Sequence, residues 1–221
     1  MVGAKLRMRR EGGRAGRGFT LLESAMTLVI LGVGVLAFVE AQQSFMKSNS
    51  WSSQAATATF LANEVRERMS KLSRHDPVNG LVLSGSTVVG WGRDSGESVI
   101  WDLDDVDDYD GLRFGADGNM DGPVNAFGEV IPEFDSFGNP LEVDGVAIAL
   151  RGWSQEITVE KVDATNNTTV RTAAYSVAAS GGNPGRPLDK FPLRVTVTVF
   201  YQGPLDSTPS EMTHVSWIVP E

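Results

Sequence analysis

Glu23 stands inside an apolar run, FTLLESAMTLVILGVGVLAFV from Phe19 to Val39, in which the 16 residues from Ser24 to Val39 carry no charge. An ionisable group in so apolar a segment costs several kcal/mol when it is left in hydrocarbon, so it calls for a counter-charge or a function. A second acidic feature lies between Glu97 and Asp121. Nine acids (Glu97, Asp102, Asp104, Asp105, Asp107, Asp108, Asp110, Asp117 and Asp121) face one base, Arg113. Carboxylates at that density repel unless water or a cation screens them. Within the tract, Asp117-Gly118-Asn119-Met120-Asp121-Gly122 has the opening D-x-N-x-D-G of a calcium loop. Alternate oxygens on such a turn converge on a hard cation, and Gly122 permits the bend. The acid that closes a calcium loop would fall at Gly128, with Glu129 one residue late, and Pro123 excludes the flanking helix of an EF-hand. The spacing offers Asp117, Asn119 and Asp121 as calcium ligands, against the alternative of a solvated acidic turn. Asp102 to Asp110 is a second place where carboxylates gather, with less defined spacing.

Signals for catalysis are weak. His75 and His214 have no motif around them, and G-x-S-x-G, H-E-x-x-H and phosphate-loop patterns do not occur. The 221 residues contain no cysteine, which rules out a disulfide framework, a thiol enzyme and a Cys-ligated zinc site. The chain is read as non-enzymatic, with no required cofactor and calcium as the one candidate ion. A net charge of −9 argues against binding a phosphate backbone, so no nucleic-acid partner is expected. That average conceals an asymmetry. Residues 1–18 hold six basic side chains and one acid, a net of +5, which leaves −14 on the other 203.

The positive segment precedes the apolar run directly, an arrangement that keeps the leader on the cytoplasmic side of a membrane. Twenty-one helical residues span roughly 30 Å, one hydrocarbon core. No proline occurs before Pro77, so a single helix can run from Phe19 to about Leu72. Gly32 and Gly34 are its expected soft points, and the polar stretch 42–54 is a place where it could fray. Ala58, Leu61, Val65, Met69 and Leu72 recur at spacings of three and four, an apolar stripe suited to packing on a globular head. Beyond His75-Asp76-Pro77 the chain reads as strands. Leu81–Leu83 and Val88–Val89 flank Ser84-Gly85-Ser86 as a hairpin, and Leu193–Tyr201 alternates cleanly and should pair with Thr213–Val219, with Val215 and Trp217 facing inward. Trp153–Val162 and Val170–Ala178 form a second expected pair around Asn166-Asn167, and 180–187 reads as a flexible loop. Most of the five tryptophans are expected in packing, with Trp51 on an exposed helix face. The predicted fold is α+β, with one long N-terminal helix on a small antiparallel sheet.

The N-terminus admits three readings. A secretory signal peptide cut after Val39-Glu40-Ala41 would have an overlong apolar region and no reason for Glu23. A twin-arginine signal at Arg9-Arg10 lacks the apolar pair, since Glu11-Gly12-Gly13 follows. The third rests on Gly18-Phe19-Thr20-Leu21-Leu22-Glu23 behind a basic leader. It closely resembles the prepilin cleavage and methylation motif of the type IV pilin and type II secretion pseudopilin family, over about the first 55 residues.

The resemblance implies cleavage by a prepilin peptidase between Gly18 and Phe19, methylation of the new amine at Phe19, and pairing of Glu23 with the N-terminal amine of a neighbouring subunit. It divides the chain into a leader (1–18), a membrane and filament-core helix (19–40), an amphipathic continuation (41–76) and a β-rich head (77–221) with the acidic loop 97–121. Glu40 stands where many pilins have a kinking proline. The run into Gln42-Gln43 and the later FLANEVRERM look most like the PilV-type minor pilins. The implied partners are the peptidase, other pilin subunits, the inner-membrane assembly machinery and, before assembly, membrane lipid. The implied location is the inner membrane, single-pass with the head outside the cytoplasm, and then a periplasmic or extracellular filament. A type II secretion pseudopilin shares every anchor feature. A membrane-tethered module that binds calcium or another ligand without polymerising is the rival from another class.

Overall fold

The computed structural model describes residues 20–221. Its first element is α1, Leu21–Met69, 49 residues long. The helix runs unbroken through Gly32, Gly34 and the polar stretch 42–54. None of these residues lacks a backbone N–H; the polar ones cost a few tenths of a kcal/mol each and the two glycines about 1 kcal/mol each, well short of a proline, and a break would require a new helix to be nucleated beyond it. Hydroxyl groups along it bond back to the preceding turn, as Thr57 Oγ1 does to Ser53 O (3.2 Å) and Thr59 Oγ1 to Ala55 O (2.9 Å). The chain divides into two units, one ending at Ser50 and the other comprising Trp51–Glu221.

In the second unit the apolar stripe is buried as its spacing predicts: Ala58, Leu61, Ala62, Val65 and Met69 lie inside, with Leu72 half-buried beside them. They share one core with Tyr109, Phe114, Ile157, Val159 and the alternate residues Leu193, Val195, Val197 and Val199. Those valines belong to a four-stranded antiparallel sheet.

The strands, in chain order, are β1 (Val82–Ser84), β2 (Thr87–Val89), β3 (Arg113–Gly115), β4 (Glu142–Val143), β5 (Val146–Ala147), β6 (Trp153–Lys161), β7 (Leu193–Tyr201) and β8 (Ser210–Val219). The main sheet has the order β3-β6-β7-β8. The pairing of β7 with β8 follows expectation, with Val195 opposite Trp217 and Val197 opposite Val215, and a register shift at Val199/Phe200. The hairpin of β1 and β2 also forms, closed between Ser84 and Thr87. A further hairpin, β4–β5, turns at Asp144-Gly145, where both residues have positive φ (52° and 78°) as a two-residue turn of this twist requires.

The second expected pair is corrected. β6 pairs with β7 along its full length and with β3, while Val170–Ala178 forms no strand: the expected pairing is limited to the turn end, where Val162 bridges Val170 and Arg171 N donates to Lys161 O (2.8 Å), and Val177 bridges Arg186. The free edge of β6 is taken by residues 110–115 instead. Ile157 N donates to Leu112 O (2.8 Å), and Val159 N to the Asp110 carboxylate (2.9 Å). The 180–187 segment is a closed turn, with Ser180 and Asn183 exchanging backbone hydrogen bonds of 2.9 and 3.0 Å.

Candidate functional site

Two places carry the chemistry that the sequence singles out: the start of α1 and the acidic tract. Gly18, Phe19 and the leader lie outside the described residues. At the helix start, Thr20 Oγ1 accepts a hydrogen bond from Glu23 N (3.3 Å), and Thr20 O accepts one from Ser24 N (3.1 Å). Thr20 is the N-cap and Glu23 the third helical residue, the T-x-x-E arrangement in which an acid also meets the positive end of the helix dipole. The sequence reading missed this local role of Glu23, although the spacing of Thr20 and Glu23 signals it. Thr27 Oγ1 donates to Glu23 O (2.7 Å), so a hydroxyl in the apolar run is satisfied within the helix. Every residue from Leu21 to Ser50 is exposed, Leu21 at 89% and Phe38 at 63% among them. The first basic residue of the described helix is Lys47, roughly 36 Å along the axis from Glu23.

The D-x-N-x-D-G stretch forms a tight turn with Asp117, Asn119 and Asp121 all exposed. Asn119 is occupied by the turn itself: its Oδ1 accepts from Arg113 N (2.9 Å) and its Nδ2 reaches Gly111 O (3.4 Å). Glu129 belongs to a separate turn around Asn125, whose Oδ1 accepts from Glu129 N (3.0 Å). The two glycines serve close packing. A Cβ at Gly118 would meet Arg113 O at 2.1 Å, and one at Gly122 would meet Phe114 Cβ at 2.7 Å.

The middle of the tract departs from the picture of a solvated charge run. Asp105, Asp107 and Asp108 are buried, at 2%, 0% and 2% exposure. They lie at a 3₁₀ turn, Asp107–Tyr109, which a short bridge from Ser73 to Asp105 ties to the segment after α1. Asp105 Oδ1 accepts from Asp108 N (3.0 Å), and Asp108 Oδ2 accepts from the amides of Asp104 and Asp105 (3.1 and 3.2 Å). His75 Nδ1 lies 3.0 Å from Asp107 Oδ1, and Asp107 Oδ2 accepts from Gly92 N (3.3 Å). Glu97 and Asp104 bring carboxylate oxygens within 4.8 Å of Asp108. Because Asp108 Oδ2 already binds two amides, we read this group as the cap of the turn.

Burial pushes the Asp105 carboxyl up to about 8, helped by its contact with Asp107, and pushes Asp107 and Asp108 up to about 7. The same cause, with Arg74 nearby, lowers His75 to about 4, so its ring is neutral at physiological pH. Lys161 of β6 is also buried (1% exposed) and lowered to about 8; its Nζ donates to Ala173 O.

Three further side chains fasten α1 to the rest of its unit, and no local pattern announces them. Gln155 joins Leu61 O to the backbone of Val124. Arg68 donates to Tyr109 Oη (3.2 Å) and Ile100 O (3.0 Å), and Glu64 accepts from Ala126 N (2.7 Å). The tryptophans divide: Trp153 is core, Trp91 and Trp217 pack against it, and Trp51 and Trp101 are exposed, the last with Arg68 5.3 Å from its ring centre. Comparison with known proteins returns no match: no family model, no curated protein and no solved structure aligns with this chain.

Proposed function

We propose that the chain is a structural subunit, of the minor-pilin kind, of a type IV pilus-like filament, made as a precursor that a prepilin peptidase cuts before Phe19. The observation that carries this reading is the motif Gly18-Phe19-Thr20-Leu21-Leu22-Glu23 placed at the head of a long apolar helix. The described helix is long and apolar enough to cross a membrane, and among the described residues those from Leu21 to Ser50 are all exposed. Apolar surface on that scale needs lipid or the helices of neighbours. Cleavage would leave the Phe19 amine one turn from Glu23 in its own helix; pairing of Glu23 with the amine of a neighbouring subunit is what the family resemblance supports, since the first base along the described helix is the distant Lys47. In this reading the +5 leader stays in the cytoplasm and the head lies outside it. Before assembly the helix sits in the inner membrane, and small residues such as Gly32, Gly34 and Ala37 allow close helix approach in the filament.

The test is the intact mass and N-terminus of the mature protein. N-methyl-Phe19 is the expected result, and an N-terminus at Gln42 overturns the assignment. A pseudopilin of type II secretion would give the same mass and differ in the machine that polymerises it, so loss of secretion with intact pili on gene deletion would assign it there. A tethered binding module would have a candidate site in the groove of about 1140 Å³ lined by Trp101, Met120, Val130 and Ile148. That rival predicts a protein that stays with the cells when filaments are sheared off.

A further inference from the structure

We infer that the turn 105–108 and His75 form a proton-dependent lock inside the head, closed while the buried carboxyl groups share protons and loosened when alkaline pH removes them. The argument begins with position. Val106 N donates to Ser73 O (2.8 Å), His75 meets Asp107, Gly92 N meets Asp107 Oδ2, and Val159 N meets Asp110, so one short turn joins the segment after α1, the 91–92 loop and β6. Three carboxyl groups at 2% exposure or less stand within four residues of one another there.

The basic groups around them do not neutralise three charges. His75 is, among the described residues, the one base at ion-pair distance from any of the three aspartates, and its Nε2 has no hydrogen-bond partner. Arg74 spends its guanidinium on Phe191 O (3.2 Å) and Asp189 O (2.9 Å), and Lys161 Nζ is held by Ala173 O near the ring of Phe191. Asp104 and Glu97 add negative charge on the outer side of Asp108, and Asp189 adds it near His75 and Lys161. Like charges this close, away from water, cannot all ionise without breaking the turn; protons shared between Asp105 and Asp107 remove the conflict.

The direction with pH follows. A carboxyl group raised in the folded state binds more protons folded than unfolded, so its stabilising effect is complete in acid and declines as pH rises toward the folded value. His75, lowered from 6.5 to about 4, works the other way but only between those limits, and Lys161 does so above about 8. Between pH 6.5 and 8 the three aspartates outweigh the tails of these two opposing titrations, and ordinary carboxylates are already ionised.

The lock is independent of the filament reading and can fail without it. The experiment is urea unfolding of the full chain in detergent micelles, followed by tryptophan fluorescence, at pH 6.5 and 8, with wild type and Asp105→Asn. Asparagine keeps the Oδ1 acceptor for Asp108 N and replaces the shared proton with an amide N–H. We expect the wild-type unfolding constant to rise about tenfold or more across this interval, up to tenfold per pH unit for each proton lost, and the variant to show a flatter profile. A flat wild-type profile, or a variant as steep as wild type, overturns the lock. Should Asp105→Asn not fold, proton release on unfolding the wild type at pH 7 decides: uptake of protons, or no exchange, overturns it.

Discussion

Gln155 of β6 donates from Nε2 to the carbonyl oxygen of Leu61, in the middle of α1, at 2.9 Å, with neither residue exposed to solvent. The same side chain accepts from Val124 N (2.8 Å) and donates to Val124 O (3.0 Å), so one carboxamide satisfies three buried backbone groups. Truncation to Gln155→Ala should therefore cost about 3 kcal/mol, from a cavity plus a stranded amide at Val124. The measurement is the midpoint of urea unfolding at unchanged slope. A cost below about 1 kcal/mol, the level of an ordinary exposed hydrogen bond, would mean that water replaces the contact.

Lys161 should give the head a second, opposite pH response. Its folded value is lowered to about 8 against 10.5 for the free side chain, with desolvation the largest cause. The folded state then binds fewer protons than the unfolded state between those values, so stability rises as pH rises through that window. Melting temperature measured from pH 8.5 to 9.5 should climb in the wild type more than in Lys161→Met, which keeps the buried stem but cannot titrate. Equal slopes would show that the amine titrates normally.

At the start of α1, charge and capping can be separated. Glu23→Gln keeps a side chain able to serve at the third helical position but removes the charge. If Glu23 meets an amine in a neighbour's apolar surroundings, losing it strands a buried charge worth on the order of 3 kcal/mol. The variant should be cleaved normally and be nearly absent from sheared filaments. Thr20→Ala removes the bond to Glu23 N and should cost the helix end about 1 kcal/mol while sparing entry into filaments. Wild-type levels of Glu23→Gln in the sheared fraction would end the pairing proposal.

The acidic turn yields a test that distinguishes fastening from metal binding. Asn119→Ala removes the bonds to Arg113 N and Gly111 O and should cost about 1 kcal/mol in calcium-free buffer. Thermal unfolding with and without millimolar calcium reads the difference. A loss that appears only with calcium, by mass action on the folded state, would make Asn119 a ligand alongside Asp117 and Asp121.

Much of the fold was legible because its signals are local. The stripe Ala58, Leu61, Val65, Met69 follows from helical periodicity, and β7 from strict alternation. The β4–β5 hairpin was missed although Asp144-Gly145 is a turn pair, since flanking strands of two residues carry no alternation to read. The pairing of Val170–Ala178 with β6 stops after Arg171 for a different reason. Neighbouring strand-like segments favour each other on length of connection alone, but most of the edge of β6 is claimed by residues 110–115, Asp110 meeting Val159 across 49 residues of chain.

The residues of this chain determined by themselves the charge break at Gly18, the acid at position 23 of an apolar run, the long apolar helix and the face of it that meets the head, because each depends on residue types at fixed spacings along one element. Tertiary structure alone decided the state of the acidic tract. Composition makes Asp105, Asp107 and Asp108 look like the solvated charges around them; folding sets them against Ser73, His75 and Gly92 and out of contact with water. Whether a carboxyl group is charged depends on the dielectric and the neighbours it meets in space, and those come from segments that sequence distance keeps apart.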